Sequence, residues 1–422
     1  MKKHFSVKGI VELPGDKSIA HRAAIFTALS GDKSVITNHP DGHDFWSTVS
    51  ILKALGADIQ SLSPGTLSIK GPLNNNIKEN SRLELNAGNS GTTMRLMAGL
   101  VAGLNTAVKI SGDESLSLRP MERIRTPLAE MGADIQLSPK GTAPIINRNH
   151  SGLRSIQFTL PVASAQVKSA IILAALFAKG ESKINDPFGT RDHTERMLGL
   201  KSEKGIIRVP ENILWPSGEI YIPGDISSAA FFVVLALCTP GADLTIKNVS
   251  LNPGRIGYIN LLQQFGADIT IEETGESLHE PFGILRVKHS RIQGGQINKN
   301  VIPGLIDEIP VLSILALHTD SGIKFEGIEE LKFKESNRIT AIIDNLRTFG
   351  AETEEWQDGL FVSPLKSSEF IPAEIKSFDD HRIAMSMYIC GLTYGRHLTI
   401  DNPHCVEISF PGFFQSLSEV AV

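Results

Sequence analysis

The sequence has few cysteines, and they are not placed for cross-linking. Its 422 residues contain three, Cys238, Cys390 and Cys405, an odd number without a Cys-x-x-Cys spacing. A disulfide framework uses an even set of cysteines, and a structural zinc site needs paired ligands. His193 and His381 also lack a second histidine or cysteine at ligand spacing. We therefore expect neither a disulfide framework nor a bound metal.

Long apolar runs are absent as well. No uncharged apolar stretch reaches the roughly 18 residues that a membrane-spanning helix needs, so we expect no membrane partner. The chain begins with MKKHFSVKG, in which two lysines are not followed by the apolar core of a secretory signal. These patterns favour a cytoplasmic location.

Aromatic residues are few, and the chain has no excess of positive charge. Aromatic residues make up 6% of the chain, and its formal net charge is −5. A nucleic-acid-binding protein typically carries a basic face with interleaved aromatic side chains, so we expect no nucleic-acid partner. Neither a G-x-G-x-x-G nor a G-x-x-x-x-G-K-S/T loop occurs, which argues against a dinucleotide or nucleotide cofactor.

The sequence does contain a repeat. Six segments share an apolar residue or two, a polar or Gly-rich turn, and an apolar run rich in small residues. Their starts are 72, 75, 62, 80 and 75 residues apart, and such a regular period indicates a repeat architecture. The segments begin at Leu13, Leu85, Leu160, Ile222, Ile302 and Ser377.

Each unit continues with a second helix and paired strands. Four amphipathic runs end in Gly-Ala-acid, and glycine just past a helix supplies a left-handed residue. Alternating segments at residues 58–71 and 268–287 then predict β-hairpins. The unit is therefore helix, strand, helix and paired strands. The third unit is short, because residues 197–209 replace its second helix and hairpin.

Pro-Gly-Asp occurs in two of the repeats, at residues 14–16 and 223–225, about half a chain apart. This tripeptide is a turn signal, and its two copies suggest paired crossovers between two lobes. We place an inserted lobe at residues 16–223 and a discontinuous lobe at residues 1–15 plus 224–422. Two consecutive lobes, split at the second copy, are the alternative.

The first helix of each unit is apolar nearly all round beyond its opening turn, which predicts a helix buried inside its lobe. Helix N-termini carry unpaired N–H groups and positive partial charge, so they bind anions. A lysine or arginine side chain there strengthens the attraction for an anion. The polar residues collect at these N-termini: Lys17, Ser18, His21, Arg22, Asn89, Ser90, Thr92, Thr93, Arg95, Ser164, Gln166, Lys168, Asp225, Ser227, Ser228, Asp307, Glu308, Asp380, His381 and Arg382.

These residues also have a plainer interpretation. Serine, threonine, asparagine and aspartate are ordinary helix caps, the interpretation we favour for Asp225, Ser227 and Ser228. A cation at a helix N-terminus opposes the dipole and needs a partner anion. For Arg95 and Lys168, a structural carboxylate and a bound ligand are equally open.

Two further stretches are rich in cations. Residues 115–132 carry Arg119, Arg123 and Arg125. In residues 331–346, Lys334 and Arg338 would share one face of a helix, with Glu335 between them. Glu335 is then either a plain ion-pair partner or a carboxylate held for proton transfer beside an anionic substrate.

Ten motifs, in order over nearly the whole chain, resemble those of the 3-phosphoshikimate 1-carboxyvinyltransferase (EPSP synthase) family. The resemblance implies a two-lobed inside-out α/β barrel of six βαβαββ repeats, with helices inside. It implies transfer of the enolpyruvyl group of phosphoenolpyruvate to the 5-hydroxyl of shikimate 3-phosphate, on the route to chorismate and aromatic amino acids. No metal or cofactor is needed, and we expect a monomer. The motifs are PGDKSIAHRA, NAGNSGTTMRL, GDESLSLRPM, ASAQVKSA, TRDHTERM, PGDISSAAFF, IDEIPVL, KESNRI, DHRIAM and SFPGFF.

The resemblance also implies roles for individual residues. Asp307 would take the proton from the attacking hydroxyl, Glu335 would protonate the enolpyruvyl methylene, and Lys17 would share in proton traffic. Gly91 would let the backbone approach phosphoenolpyruvate closely. Phosphoenolpyruvate would be held by Lys17, Gly91, Arg119, Arg338 and Arg382. Shikimate 3-phosphate would be held by Lys17, Ser18, Arg22, Ser164, Ala165, Gln166, Arg191, Asp307 and Lys334.

Three departures from the family pattern stand out. Some members carry a basic residue just ahead of the position of Ser409, where this chain has Glu407 and Ile408. The part of the site that binds phosphate is therefore expected to have one cation fewer. Leu96 replaces a proline common in the family, beside the phosphoenolpyruvate position. The third departure is the shortened third repeat.

Two other functions are weighed against this one. The sister transferase that acts on UDP-N-acetylglucosamine usually has Lys-Asn near its start and a cysteine in a mobile loop. Here Ser18 follows Lys17, and no cysteine precedes Cys238. A non-catalytic anion-binding relic of the fold predicts loss of Asp307, Glu335 and Lys17, all of which are present.

Overall fold

The structure of the chain is a computed structural model that describes residues 6–71 and 83–421. The first five residues, on which part of the expectation about a secretory signal rests, lie outside the described residues. In the described residues no helix is long and apolar enough to cross a membrane.

Helices and strands alternate along the described residues. The α-helices are α1 (Lys17–Leu29), α2 (His43–Ala54), α3 (Gly91–Gly103), α4 (Glu114–Ser117), α5 (Glu122–Glu130), α6 (Ala165–Ala175), α7 (His193–Met197), α8 (Ile226–Cys238), α9 (Gly257–Gln264), α10 (Ile309–Ala316), α11 (Arg338–Thr348), α12 (His381–Thr393) and α13 (Phe413–Val420). Short 3-10 helices are Ile302–Gly304, Glu329–Phe333 and Pro403–Ile408.

The strands are mostly short. They are β1 (Lys8–Glu12), β2 (Lys33–Thr37), β3 (Asp58–Ser63), β4 (Thr66–Lys70), β5 (Leu83–Asn86), β6 (Val108–Ser111), β7 (Asp134–Gln136), β8 (Ile145–Arg148), β9 (Gln157–Thr159), β10 (Ser182–Asn185), β11 (Ser202–Glu203), β12 (Ile206–Val209), β13 (Glu219–Tyr221), β14 (Asp243–Ser250), β15 (Asp268–Ser277), β16 (Glu280–Lys288), β17 (Gly295–Ile297), β18 (Ile323–Glu326), β19 (Thr353–Trp356) and β20 (Gly359–Val362).

The strands form four-stranded sheets of one repeated design. In each, the first strand runs parallel to the second, and two further strands continue the sheet. The third repeat keeps a four-stranded sheet although its second helix, α7, has only five residues. Near α12, Ile375 and Ile400 form an isolated parallel bridge. The strand orders are β13-β2-β4-β3, β5-β6-β8-β7, β9-β10-β12-β11, β1-β14-β16-β15 and β17-β18-β20-β19.

Two of the sheets exchange their first strands. β1 precedes α1 in the chain but pairs with β14, and β13 precedes α8 but pairs with β2. Each exchange coincides with a copy of Pro-Gly-Asp. The chain therefore leaves one set of sheets at the first copy and returns to it at the second.

The described residues divide by their contacts into two compact units. The inserted unit comprises residues 15–222 and 277–280, and the discontinuous unit comprises residues 1–14, 223–276 and 281–422, as far as these are described. Each unit has its own hydrophobic core. The assignment of the lobes as domains stays a prediction.

The first helix of each repeat is buried, as the sequence predicts. In α8 all thirteen residues are buried, from Ile226 to Cys238. Side-chain caps satisfy free N–H groups at the start of five such helices, while α10 instead has proline in its first turn. The capping residues are Asp16, Ser90, Ser164, Asp225 and Asp380.

The second half of the unit is also confirmed in most repeats. The predicted hairpins correspond to β3–β4 and to β15–β16. The glycines of the Gly-Ala-acid motifs are left-handed, because each reverses the chain after a helix. They are Gly56, Gly132, Gly266 and Gly350, with φ of 101°, 102°, 99° and 91°.

One local prediction is wrong. Lys334 and Arg338 do not share a helix face, because Lys334 ends a 3-10 helix and α11 begins only at Arg338. Asn337 sets this boundary, since its side chain accepts a hydrogen bond from Thr340 N at 3.4 Å as the helix cap.

Helices α3 and α6 approach each other closely inside the inserted unit. A Cβ atom on Gly99 would lie 2.1 Å from the carbonyl oxygen of Ala170 and 2.7 Å from its Cα. These are backbone atoms, so a side chain at position 99 would push the two helices apart.

We predict that Gly99→Ala destabilises the protein. Alanine favours a helix by about 1 kcal/mol over glycine, but overpacking a rigid core typically costs about 1–3 kcal/mol, so the steric effect should dominate. Gly31→Ala is the matched control, because a Cβ there meets nothing within 4 Å. Urea unfolding of both variants checks this. A Gly99→Ala protein as stable as the control would contradict it.

Candidate active site

The first polar group of the inserted unit lies at the start of α1. Asp16 caps the helix by accepting from Ile19 N at 3.0 Å. Lys17 Nζ lies 2.8 Å from Asp44 Oδ2, and the two side chains are 20% and 10% exposed. The cation at this helix N-terminus thus has the counter-charge that it needs, and it keeps partial access to solvent.

His21, one turn further into α1, faces the core. Its Nδ1 is 2.7 Å from Thr48 Oγ1, whose hydroxyl lies 2.8 Å from that of Thr93. Burial lowers the pKa of His21 to about 3, aided by the nearby charges of Lys17 and Arg22. The ring is therefore neutral at pH 7 and links α1, α2 and α3.

A second group surrounds the start of α3. Gly91 is the first residue of this helix, after its cap Ser90. A Cβ on Gly91 would lie 3.2 Å from Arg119 Nη1 and 3.3 Å from Arg95 Nη1, so two guanidinium groups flank this bare backbone. Arg119 also donates to Asn89 Oδ1 at 3.1 Å. A helix N-terminus beside two arginines is suited to an anion.

The start of α6 is bound to Arg95 as well. Gln166 accepts a hydrogen bond from Arg95 Nη1 through Oε1 and donates from Nε2 to Thr92 Oγ1 at 2.9 Å. Ser164 caps the helix, and Ala165 is its first residue. Arg95 is thus bound to the neutral amide of Gln166, and the resemblance assigns Gln166 to shikimate 3-phosphate.

Arg22 is 4% exposed and bound by oxygen atoms. Nε donates to Thr194 Oγ1 at 2.7 Å, Nη2 to Ser169 Oγ at 2.7 Å, and Nη1 to the Ser18 carbonyl at 2.8 Å. Burial lowers the pKa of Arg22 to about 10, against the opposing effect of Glu195. The guanidinium therefore stays protonated at pH 7. Arg191, also assigned to this substrate, precedes α7.

Lys168 has a structural role, which settles one alternative left open by the sequence. Its Nζ lies 2.9 Å from Asp186 Oδ2 and 2.6 Å from Glu195 Oε1, with all three side chains almost fully buried. Burial raises the pKa of Glu195, opposed by Lys168. For Asp186 the same burial is outweighed by Lys168 and Thr190, so its pKa lies below the usual value.

In the discontinuous unit the candidate residues converge on Asp307. Lys334 Nζ lies 3.1 Å from Asp307 Oδ1, and Arg338 Nη1 lies 3.4 Å from the same oxygen. Arg382 Nη1 donates to the Asp307 carbonyl at 2.9 Å. The Asp307 side chain is 14% exposed. A carboxylate with three cationic neighbours, and access to solvent, combines a proton acceptor with anion-binding groups.

Arg338 contacts two further carboxylates besides Asp307. Its Nε lies 2.7 Å from Asp380 Oδ2, and its Nη2 lies 2.5 Å from Glu335 Oε2. Burial opposes its charge, but Asp380 and Glu335 outweigh this and raise the pKa of Arg338. Arg338 and Asp380 are almost fully buried, whereas Glu335 is 22% exposed. Glu335 is thus an ion-pair partner that solvent still reaches.

The caps of the discontinuous unit confirm part of the plainer interpretation. Asp225 accepts from Ser227 N at 2.8 Å at the start of α8. Ser227 Oγ donates to Glu308 Oε1 and accepts from Arg255 Nη2, the latter at 2.7 Å. These residues bind one another, and Glu308 lies 3.9 Å from Arg382 Nη1.

Sequence reasoning missed Asp44 as the partner of Lys17 and Thr194 as a partner of Arg22. Asp44 lies in the first turn of α2, where an acidic residue is unremarkable. Thr194 lies in the short second helix of the third repeat, 172 positions from Arg22 along the chain. Among the described residues, no group of three or more histidine, cysteine, aspartate or glutamate side chains could hold a metal ion.

We predict that Lys168→Met lowers the free energy of unfolding by about 3–5 kcal/mol, the usual cost of leaving buried charges unpaired. Without Lys168, the folded-state pKa values of Asp186 and Glu195 rise above those of the unfolded chain, near 4. The deficit relative to the wild type should therefore shrink below about pH 5 and grow towards pH 7. Urea unfolding between these pH values, with the exposed Lys201→Met as control, measures this; a pH-independent deficit would contradict it.

Comparison with known proteins identifies the family. The family model for EPSP synthase (3-phosphoshikimate 1-carboxyvinyltransferase) matches residues 1–417. The 3-phosphoshikimate 1-carboxyvinyltransferase of Salinibacter ruber is 42% identical over 424 residues, covering 99% of this chain and 98% of that relative. The Bacillus licheniformis protein of the same name is 38% identical over 424 residues, with 99% and 98% covered.

Solved structures agree with this result. The EPSP synthase of Acinetobacter baumannii has a TM-score of 0.86 and 37% identity, covering 100% of this chain and 97% of that one. The enolpyruvyl transferase NikO of Streptomyces tendae, at 14% identity, TM-score 0.75 and coverage of 99% and 96%, shows the fold alone. The expected fold class is confirmed, and the chain belongs to the EPSP synthase (3-phosphoshikimate 1-carboxyvinyltransferase) family.

Proposed function

We propose that this enzyme transfers the enolpyruvyl group of phosphoenolpyruvate to shikimate 3-phosphate through the residues described above. The family carries out this transfer in the shikimate pathway, and the UDP-N-acetylglucosamine alternative is not favoured. The observation that carries the proposal for the residues is the carboxylate of Asp307, bound by Lys334 and Arg338 and adjoined by Arg382.

Phosphoenolpyruvate is an anion with a phosphate and a carboxylate. We assign its binding to Lys17, Gly91, Arg119, Arg338 and Arg382. In support, the first turn of α3 is flanked by guanidinium groups, and Gly91 has no side chain to separate its backbone from a ligand. Arg382 is 11% exposed and is the more accessible of the two arginines proposed from the discontinuous unit, since Arg338 is 1% exposed.

Shikimate 3-phosphate is assigned to residues that can bind a phosphate, a carboxylate and hydroxyl groups. Ser164, Ala165 and Gln166 at the start of α6 suit the phosphate, because a helix N-terminus offers free N–H groups. Arg22 suits the carboxylate, because a guanidinium binds a carboxylate more strongly than a neutral hydroxyl. The remaining residues assigned to this substrate are Lys17, Ser18, Arg191, Asp307 and Lys334.

The reaction needs a base and an acid on neighbouring atoms. Asp307 takes the proton of the 5-hydroxyl of shikimate 3-phosphate, and the oxygen of this hydroxyl bonds to C2 of phosphoenolpyruvate. Glu335 protonates C3, which gives a tetrahedral intermediate. Phosphate then leaves C2 as C3 loses a proton. Lys17 shares in these proton transfers, and the fixed cations stabilise the developing charge. No metal or cofactor takes part in this proposal. A cytoplasmic location and a monomeric state are proposed on the sequence alone.

We predict that Asp307→Asn lowers kcat for phosphate release by about 10²–10⁴-fold, the usual contribution of a positioned base. The amide keeps the shape of the side chain but cannot take the proton. Asp320→Asn is the control, because this exposed aspartate pairs with Arg291 on the surface.

Phosphate release from phosphoenolpyruvate is measured with and without shikimate 3-phosphate. Release by the wild type that requires shikimate 3-phosphate and is lost in Asp307→Asn, but not in Asp320→Asn, supports both the reaction and the base. Release that requires UDP-N-acetylglucosamine instead would overturn the substrate, and full activity of Asp307→Asn would overturn the base.

A further inference from the structure

The guanidinium of Arg22 is bound by a chain of hydroxyl groups that runs through three helices of the inserted unit. Arg22 lies on α1, Thr194 on α7, and Ser169 with Ala165 on α6. Besides its bonds to Arg22, Ser169 Oγ lies 2.7 Å from Thr194 Oγ1 and donates to the Ala165 carbonyl at 2.7 Å.

The direction of each hydrogen bond in this chain follows from the number of protons. A hydroxyl has one proton, and Ser169 gives its proton to the Ala165 carbonyl, which can only accept. Thr194 must therefore donate to Ser169. Both hydroxyl oxygens accept from Arg22, which has only protons to give. Each hydroxyl proton in the chain is used, and the chain ends at the first residue of α6.

Two of the five guanidinium N–H groups of Arg22 stay available, because the described residues accept only three. Those three acceptors are neutral oxygens, so the charge of Arg22 is not cancelled by a direct ion pair within the described residues. A buried cation bound in this way is oriented without being neutralised, and it can still attract polar groups of a ligand.

Charged neighbours fix the helix that carries Thr194. Thr194 and Glu195 are adjacent on α7, and Lys168 and Ser169 are adjacent on α6. Thr194 contacts Ser169 while Glu195 lies 2.6 Å from Lys168 Nζ, which gives two successive contacts between the helices. The five-residue helix therefore has a defined position although it is too short to be stable alone.

We propose that Thr194 and Ser169 are positioning residues that hold Arg22 in register with the start of α6. This inference rests on the proposed function, in which Arg22 binds the carboxylate of shikimate 3-phosphate and the start of α6 binds its phosphate. The chain from Arg22 to Ala165 fixes the spacing of these two groups. It therefore helps to select a substrate whose carboxylate and phosphate are correctly spaced.

The test compares Thr194→Val with two reference variants. Valine has the shape of threonine but no hydroxyl, whereas Thr194→Ser keeps the hydroxyl. Thr27→Val is the matched control, because Thr27 is a fully buried threonine of α1 whose hydroxyl donates only to Ala23 and Ala24 carbonyls. Calorimetry gives the Kd of shikimate 3-phosphate, phosphate release gives KM for each substrate, and urea unfolding gives stability.

Losing one hydrogen bond to a charged group should raise the Kd of shikimate 3-phosphate by roughly tenfold to a hundredfold in Thr194→Val. The KM for phosphoenolpyruvate at saturating shikimate 3-phosphate should change little. Thr194→Ser should restore tight binding, and Thr27→Val should bind as the wild type does. If Thr194→Val is too unstable to assay, Ser169→Ala removes the acceptor of Nη2 and should give the same substrate-selective loss.

An unchanged Kd in Thr194→Val would overturn the proposal. Equal losses in Thr27→Val, a parallel rise of both KM values, or failure of Thr194→Ser to restore binding would do so too, because these results assign Thr194 to packing. Failure of the proposed function would give a different result. The wild-type protein would then neither bind shikimate 3-phosphate nor need it for phosphate release.

Discussion

A helix that is buried on nearly every side has few positions for charged groups other than its first turns, and this constraint shapes both units. In α8 all thirteen residues are buried, and its polar contacts are confined to the first turn around Asp225 and Ser227. In α1, α3 and α6 most polar side chains lie in the first two turns, and each of these helices begins at a side-chain cap. The free N–H groups of buried helices need partners there, so anion-binding and capping groups gather at the same place.

Cations at helix N-termini oppose the helix dipole and need a partner carboxylate. Their ion pairs are of two kinds, which differ in how deeply they are buried. Lys168 with its two carboxylates and Arg338 with Asp380 are almost fully buried, so removing either partner leaves an unpaired charge in the core. Lys17 with Asp44 and Lys334 with Asp307 are partly exposed, and a ligand can compete for them. The first kind of pair supports the helices and holds the Arg338 guanidinium in place beside Asp307, whereas the second kind can exchange its partner for a ligand.

The sequence predicts the regular part of this design and not its partners. The repeat, the buried first helices, the hairpins and the left-handed glycines follow from periodicity and turn chemistry, which are local. The partner of Lys17 is not local, because Asp44 is 27 positions away and has no distinctive neighbours. Lys168 was equally open to a structural and a ligand role, since only packing shows that Asp186 and Glu195 enclose it. The start of α11 was missed because the cap Asn337 outweighs the helical spacing of Lys334 and Arg338.

The least regular repeat shows why the departures from a pattern are informative. In the third repeat α7 has five residues, and the regular helix and hairpin seen in other repeats are cut short, yet its sheet keeps four strands. Hydrophobic burial over such a short helix is limited, so its position depends on specific polar contacts, and Glu195 with Lys168 supplies one of these. A helix held by directional contacts has a more sharply defined orientation than one held by apolar packing alone. That precision is useful where a neighbouring side chain, here Arg22, must be held at a fixed angle.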